Sequence, residues 1–167
     1  MRISPFVLAP LASFVLLSSL NHSALAQTKS PIDCRTLLSA KEVAKITGIA
    51  VVKDPEQMSG DDPDTQIAKG VTTCIYGAPG WVVKLSVYGG PSMQSVFDPA
   101  VWKNNEGTAL AGIGEGAYFS EHGLNTGIAR VKGVGLTFQV LSFVHTPPSA
   151  ALQSWTEQIL KLVASRL

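Results

Sequence analysis

The sequence predicts an α+β sandwich: an antiparallel sheet with an N-terminal and a C-terminal helix packed on it. Three observations lead there. Residues 82–88 and 136–141 alternate apolar and polar side chains with a period of two, and each run follows a glycine-containing turn. Residues 37–48 and 149–167 instead place apolar side chains at helical spacing. The resulting order is helix, strands, helix, strands, helix, with strands joined by short turns, which implies antiparallel pairing rather than a parallel doubly wound sheet.

The first 26 of the 167 residues stand apart from this domain. Arg2 gives a positive start, residues 6–20 are apolar, and Ala24, Leu25 and Ala26 form an A-x-A cleavage site. The apolar run is shorter than the roughly 20 residues of a spanning helix and contains Ser and Pro. The layout predicts a cleaved signal peptide, a mature chain from Gln27, a periplasmic or secreted location and no transmembrane segment. No cysteine directly follows the apolar core, so lipid attachment is not expected. Without Arg2, basic and acidic residues balance at 12 each. This provides no basic field for nucleic acid or for an anionic membrane surface.

Cys34 and Cys74 are the only cysteines. An even count in an exported chain predicts a disulfide, and two cysteines allow one intramolecular pairing. The rival roles, a metal pair or a nucleophilic thiol, lack a C-x-x-C motif and a nearby histidine in sequence.

The first predicted helix carries its own boundaries. Ser39 and Glu42 form a capping box, Leu38 and Val43 a hydrophobic staple, and Gly48 a stop. Residues 49–52, IAVV, read as a short strand. The polar stretch 53–70 reads as an exposed loop. It holds Asp54, Glu56, Asp61, Asp62 and Asp64, but Gly60 precedes the aspartates and no glutamate closes a calcium loop. A hairpin follows, with its turn at 77–80. Val83, Leu85 and Val87 face one side; Val82, Lys84, Ser86 and Tyr88 face the other. Asp98 and Pro99 open a short helix ending before Gly107. A second hairpin turns at 132–135 and continues as a strand through 136–144. In the terminal helix Leu152, Trp155, Ile159, Leu162 and Val163 form the apolar stripe, with Trp155 read as core.

Motifs for chemistry are sparse. Gly112, Gly114 and Ala117 match G-x-G-x-x-A, but a phosphate cradle needs a following helix, and residues 117–120 have strand character. The stretch therefore reads as a flexible entrance to a strand, with Glu115 in solvent, and no cofactor is expected. His122 and His145 are the only histidines of the mature chain and lack zinc spacing. No G-x-S-x-G motif occurs, although a triad can assemble from distant residues. Glu115 and Glu121 are the available carboxylate pair, both in or near turns. Among the aromatic residues, Trp81 after its turn and Tyr88 on a polar strand face are the candidate partner contacts.

Several stretches together carry a likeness: CRTLLSAKEVAKITG, TTCIYG, VVKLSVYG, LAGIGEGAYFS, ARVKGVGLTFQV and the terminal LVASRL. Across most of residues 32–167 the chain resembles a group of small exported bacterial domains of unknown function, many of them lipoproteins. They share a cysteine before an LLT-x-x-E-V helix, a second cysteine in a C-x-Y/W strand and a G-[IL]-G-[DE]-x-A-[YW] turn. The resemblance implies an α/β/α sandwich similar to the photosystem PsbP and Mog-type fold, and it brings no catalytic residues. The missing lipid-attachment cysteine is a departure that puts membrane tethering in doubt. The sequence thus points first to a non-catalytic envelope-binding module, whose partner is an envelope protein or a small ligand. A small hydrolase using His122 or His145, and a carrier of an apolar ligand between sheet and terminal helix, are the alternatives.

Overall fold

The computed structural model describes residues 32–51, 53, 55–59, 71–89, 107–120 and 126–167. The predicted signal peptide, residue 52 of the expected strand, all four loop aspartates, the short helix after Asp98, Glu121 and His122 lie outside the described residues.

The N-terminal helices are set by their caps. The Asp33 carboxylate accepts from Arg35 N–H at 2.9 Å and opens α1 (Cys34–Leu37), a turn not foreseen in the sequence. In α2 (Ala40–Thr47) the predicted capping box is present. Ser39 Oγ accepts from Glu42 N–H at 3.3 Å, and Glu42 Oε2 accepts from Ser39 N–H at 2.9 Å. Gly48 ends the helix at φ 72°, where a side chain would be strained. That turn also overrides the expected strand over its described part, 49–51. Ile49 drops into the core, and Val51 N–H donates back to the Ile49 carbonyl at 2.8 Å.

The strands are β1 (Glu56–Ser59), β2 (Val71–Ala78), β3 (Trp81–Tyr88), β4 (Thr108–Ala109), β5 (Gly116–Ser120), β6 (Thr126–Val131) and β7 (Val134–Ser142). They form one antiparallel sheet in the order β1-β2-β3-β7-β6-β5-β4. β1 falls within the stretch read as loop; its residues EQMS have no apolar alternation, and it is an edge strand. Both hairpin turns are tighter than predicted. The first is Pro79–Gly80, and the second is Lys132–Gly133 with positive φ at both residues, as a primed two-residue turn requires. β7 stops at Ser142, so Phe143 and Val144 lie beyond the strand expected to contain them.

Register assembles the core. Cys74, Leu85, Phe138, Gly127 and Phe119 stand side by side across five strands, and all five are buried. The helical layer covers this face. Cys34 of α1 bonds to Cys74 of β2, with a Cα–Cα distance of 5.5 Å. The Tyr76 hydroxyl donates to the Leu38 carbonyl at 2.6 Å. The terminal helix α3 (Ser149–Ala164) crosses β6 and β7 and runs beside α2. The chain is therefore α+β, with all three described helices on one face. The second helical layer of an α/β/α sandwich is not among the described residues. On the opposite face Thr73 and Ser86 share a hydroxyl–hydroxyl hydrogen bond of 3.0 Å, and Gln139 Nε2 donates to Thr126 Oγ1 at 3.0 Å.

Candidate functional site

Four element ends converge at one corner of the sheet. The first is the tip of the β2–β3 hairpin, with Ala78, Pro79 and Trp81. The second is the exit of α2, at Thr47–Gly48. The third is the connection from β7 to α3, through His145, Pro147 and Pro148. The fourth is the first turns of α3, at Ala151 and Trp155. Together they line an open cleft of about 510 Å³. Its volume suits a small ligand or a few side chains.

The geometry of the cleft follows from local rules. Pro79 fixes its own φ and Gly80 takes φ 73°, so the chain reverses and delivers Trp81 at the start of β3. Trp81 belongs to the core face by register, yet it sits at the end of the sheet and stays half-buried. Its ring meets the imidazole of His145 edge to face, with centroids 5.0 Å apart and planes at 87°. Trp155 is also half-buried. The buried side of α3 runs through Leu152, Thr156, Ile159, Leu160 and Val163, which leaves Trp155 and Leu162 at its margin. This corrects the predicted stripe and makes Trp155 both a core neighbour and a cleft wall. Among the described residues, no Asp, Glu, Lys or Arg lines the cleft. The concavity lies at the N-terminal end of α3; along the middle of that helix Thr156, Ile159 and Leu160 are buried.

The two candidate contacts part here. Trp81 enters the cleft. Tyr88 lies on the opposite face at the far end of β3, about 23 Å along the strand by its rise per residue. Of the two candidate histidines, His145 is exposed and lies against Trp81. Nearby Ser142 turns its hydroxyl to the backbone, accepting from Val144 N–H at 3.4 Å and His145 N–H at 3.2 Å. Among the described residues no cluster of His, Cys, Asp or Glu is arranged to hold a metal ion. Glu56 of the acidic loop is exposed on the edge strand.

The GIGEG stretch is a bonded corner, not a flexible entrance. Gly112 and Gly114 take φ 72° and 51°, and a Cβ on Gly114 would stand 2.3 Å from the Arg130 carbonyl. Glu115 N–H donates to that carbonyl at 2.8 Å. Glu115 is exposed, as expected, and its carboxylate is also bonded: Oε1 accepts from Gly133 N–H at 2.8 Å, and Oε2 lies 2.8 Å from Arg130 Nε. The chain then enters β5 rather than a helix, with Tyr118 on the outer face. A second concavity of about 440 Å³ lies beside this corner, lined by Lys132 and Lys161 among others.

His145, Trp155 and the Phe143–Val144 pair were not singled out together in the sequence. The available signal was SFVHTPP, two apolar residues between the end of a strand pattern and a Pro-Pro stop, with no element to bury them. Comparisons of the chain with family models, curated proteins and solved structures returned no match.

Proposed function

We propose that this chain is a non-catalytic, disulfide-stapled binding domain of the cell envelope, exported to the periplasm or secreted, that engages its partner through the Trp81–His145–Trp155 cleft. One observation carries the reading. The described lining holds Trp81, Trp155 and His145 and no Asp, Glu, Lys or Arg, and it is flanked by Phe143 and Val144, which are 74% and 62% exposed. Contiguous exposed apolar surface of this kind marks an interaction site. The disulfide is compatible with an oxidising compartment, and no described helix is long and apolar enough to cross a membrane. The likeness to small exported bacterial domains with a PsbP/Mog-type sandwich belongs to the same proposal, supported by the antiparallel sheet and the disulfide.

The test is capture from envelope extract by the purified protein, compared with Trp81→Ser and His145→Ala. Retention of a discrete partner should fall at least tenfold in both variants, the effect of losing a cleft contact. Circular dichroism should show each variant folded. Equal capture by all three proteins removes the cleft from the reading. Hydrolysis of an ester, glycan or peptide, abolished by His145→Ala, replaces the binding module with the hydrolase alternative.

A further inference from the structure

We infer that His145 gates the cleft by pH: with its imidazole neutral the cleft takes an uncharged apolar ligand, and protonation of the imidazole weakens that binding. The inference rests on the cleft being a binding site, as proposed above, and adds how its occupancy is regulated.

The placement of His145 carries it. The residue is part of the cleft lining, and its ring stands edge to face against Trp81 with centroids 5.0 Å apart. The backbone on either side is fastened. His145 N–H donates to Ser142 Oγ at 3.2 Å, Phe143 N–H donates to the Gly80 carbonyl at 2.9 Å, and Pro147 is buried two residues on. His145 itself is exposed, so it exchanges protons with solvent without any unfolding. Histidine is the side chain whose charge ordinarily changes between about pH 5 and pH 8.

No charge in the described lining offsets an imidazolium there. The exit of α2, the tip of the β2–β3 hairpin, the connection from β7 to α3 and the first turns of α3 contribute no titratable side chain besides His145. The charged residues of those elements lie elsewhere. Lys41 and Lys45 of α2 and Lys84 of β3 are outside the described lining, Glu42 is held by Arg166, and Glu157 is held by Lys161. Water is then what stabilises the charged ring. An apolar ligand that fills the cleft displaces that water, and loss of water disfavours the charged form. Occupancy and protonation therefore oppose each other, and the opposition is reciprocal: a ligand that expels the proton is itself expelled by added protons. Affinity is full where the imidazole is neutral and falls as the pH drops through its titration. One pH unit of such linkage corresponds to about a tenfold change in affinity.

Tryptophan emission of the purified, oxidised protein, followed from about pH 8 to about pH 5 at constant ionic strength, reads the ring pair directly. An imidazolium quenches a neighbouring indole more strongly than a neutral imidazole does. The emission should fall in a single-proton step that is absent in His145→Gln and in Trp81→Phe, with circular dichroism showing each variant folded. N-phenyl-1-naphthylamine, uncharged and apolar across this range, is the ligand probe. It should bind about tenfold more weakly at the acid end. His145→Gln should bind it with one affinity at both ends, and Trp81→Ala should bind it poorly at both. Emission independent of pH, a step that survives in His145→Gln, equal probe affinity at the two ends, or no probe binding overturns the inference. Equal affinity at both ends that is lost in Trp81→Ala removes the gate alone and leaves the cleft as a binding site. Probe binding unchanged in Trp81→Ala, together with capture unchanged in Trp81→Ser, removes both proposals.

Discussion

Glu42 joins three parts of the chain through one carboxylate. It accepts from the Ser39 amide at 2.9 Å and the Ser39 hydroxyl at 2.8 Å, and it receives both terminal nitrogens of Arg166. Arg166 Nη1 also donates to the Leu37 carbonyl at 2.9 Å, so the residue after α3 closes on the α1–α2 junction. The Arg166 guanidinium, and then the Ser39 amide, hold the Glu42 carboxyl at about 2, below its ordinary 4.5. A carboxylate with a lowered native pKa stabilises the fold at pH values above its unfolded pKa, and the contribution is lost as pH falls through the native value. Glu42→Gln keeps the shape and removes the charge. The variant should be less stable at neutral pH by on the order of 1 kcal/mol, the range of a helix cap. Urea unfolding should show this gap constant above pH about 4.5 and closing as pH falls toward about 2. A gap independent of pH would mean that the ion pair contributes nothing beyond hydrogen bonding.

Among elements, α3 shows what sequence pattern conveys and what it leaves out. Its existence is legible, because apolar residues recur at helical spacing after Pro148. Its facing is not. The stripe drawn through Trp155 and Leu162 is displaced to one through Thr156 and Leu160, because Gly127 of β6 leaves a notch there. A Cβ at Gly127 would meet Thr156 Cγ2 at 2.0 Å and Leu160 Cδ1 at 3.3 Å. Gly127→Ala should therefore push α3 off the sheet and destabilise by about 1–3 kcal/mol, the usual cost of overpacking. Thr156→Ser deletes the clashing methyl, so the double variant should melt above Gly127→Ala alone. If the two changes merely add, the notch is not what seats the helix. Other elements divide along the same line. The capping box of α2 and the alternation of β3 and β7 are local signals and survive into the fold. β1 is held by edge pairing to β2, which the short stretch EQMS, three polar residues and one methionine, cannot announce. Residues 49–51 are apolar, but the left-handed Gly48 redirects the chain so that Ile49 is buried while Ala50 stays exposed. The cleft was legible only through Trp81. Its other walls come from the ends of elements far apart in sequence, and their meeting is a property of topology.

At the scale of the whole molecule, the strongest tie between the sheet and the helical layer among the described residues is the Cys34–Cys74 bond. Both cysteines are essentially buried, at 1% and 0% exposure, and 40 positions separate them. Closing a loop of that length restricts the unfolded chain by about 4 kcal/mol in the entropic account, the upper end of what removal should cost. Replacing both cysteines with alanine should lower the free energy of unfolding by about 2–4 kcal/mol, measured in urea without reductant. Burial adds a kinetic consequence. A thiolate must reach a disulfide sulfur to exchange with it, so reduction of the native protein has to wait for an opening that separates α1 from β2. Alkylation followed by mass spectrometry should find the disulfide intact in dithiothreitol under native conditions. It should then be lost as urea populates the unfolded state. The Tyr76–Leu38 hydrogen bond and the Arg166–Glu42 clamp fasten the same helical layer independently of the sulfurs. The reduced chain, once refolded, should therefore keep the antiparallel sheet and lose stability rather than structure. Rapid alkylation of the native protein, well before any unfolding, would show instead that the N-terminal helices detach as a unit. The disulfide would then guard a local opening and not the global fold.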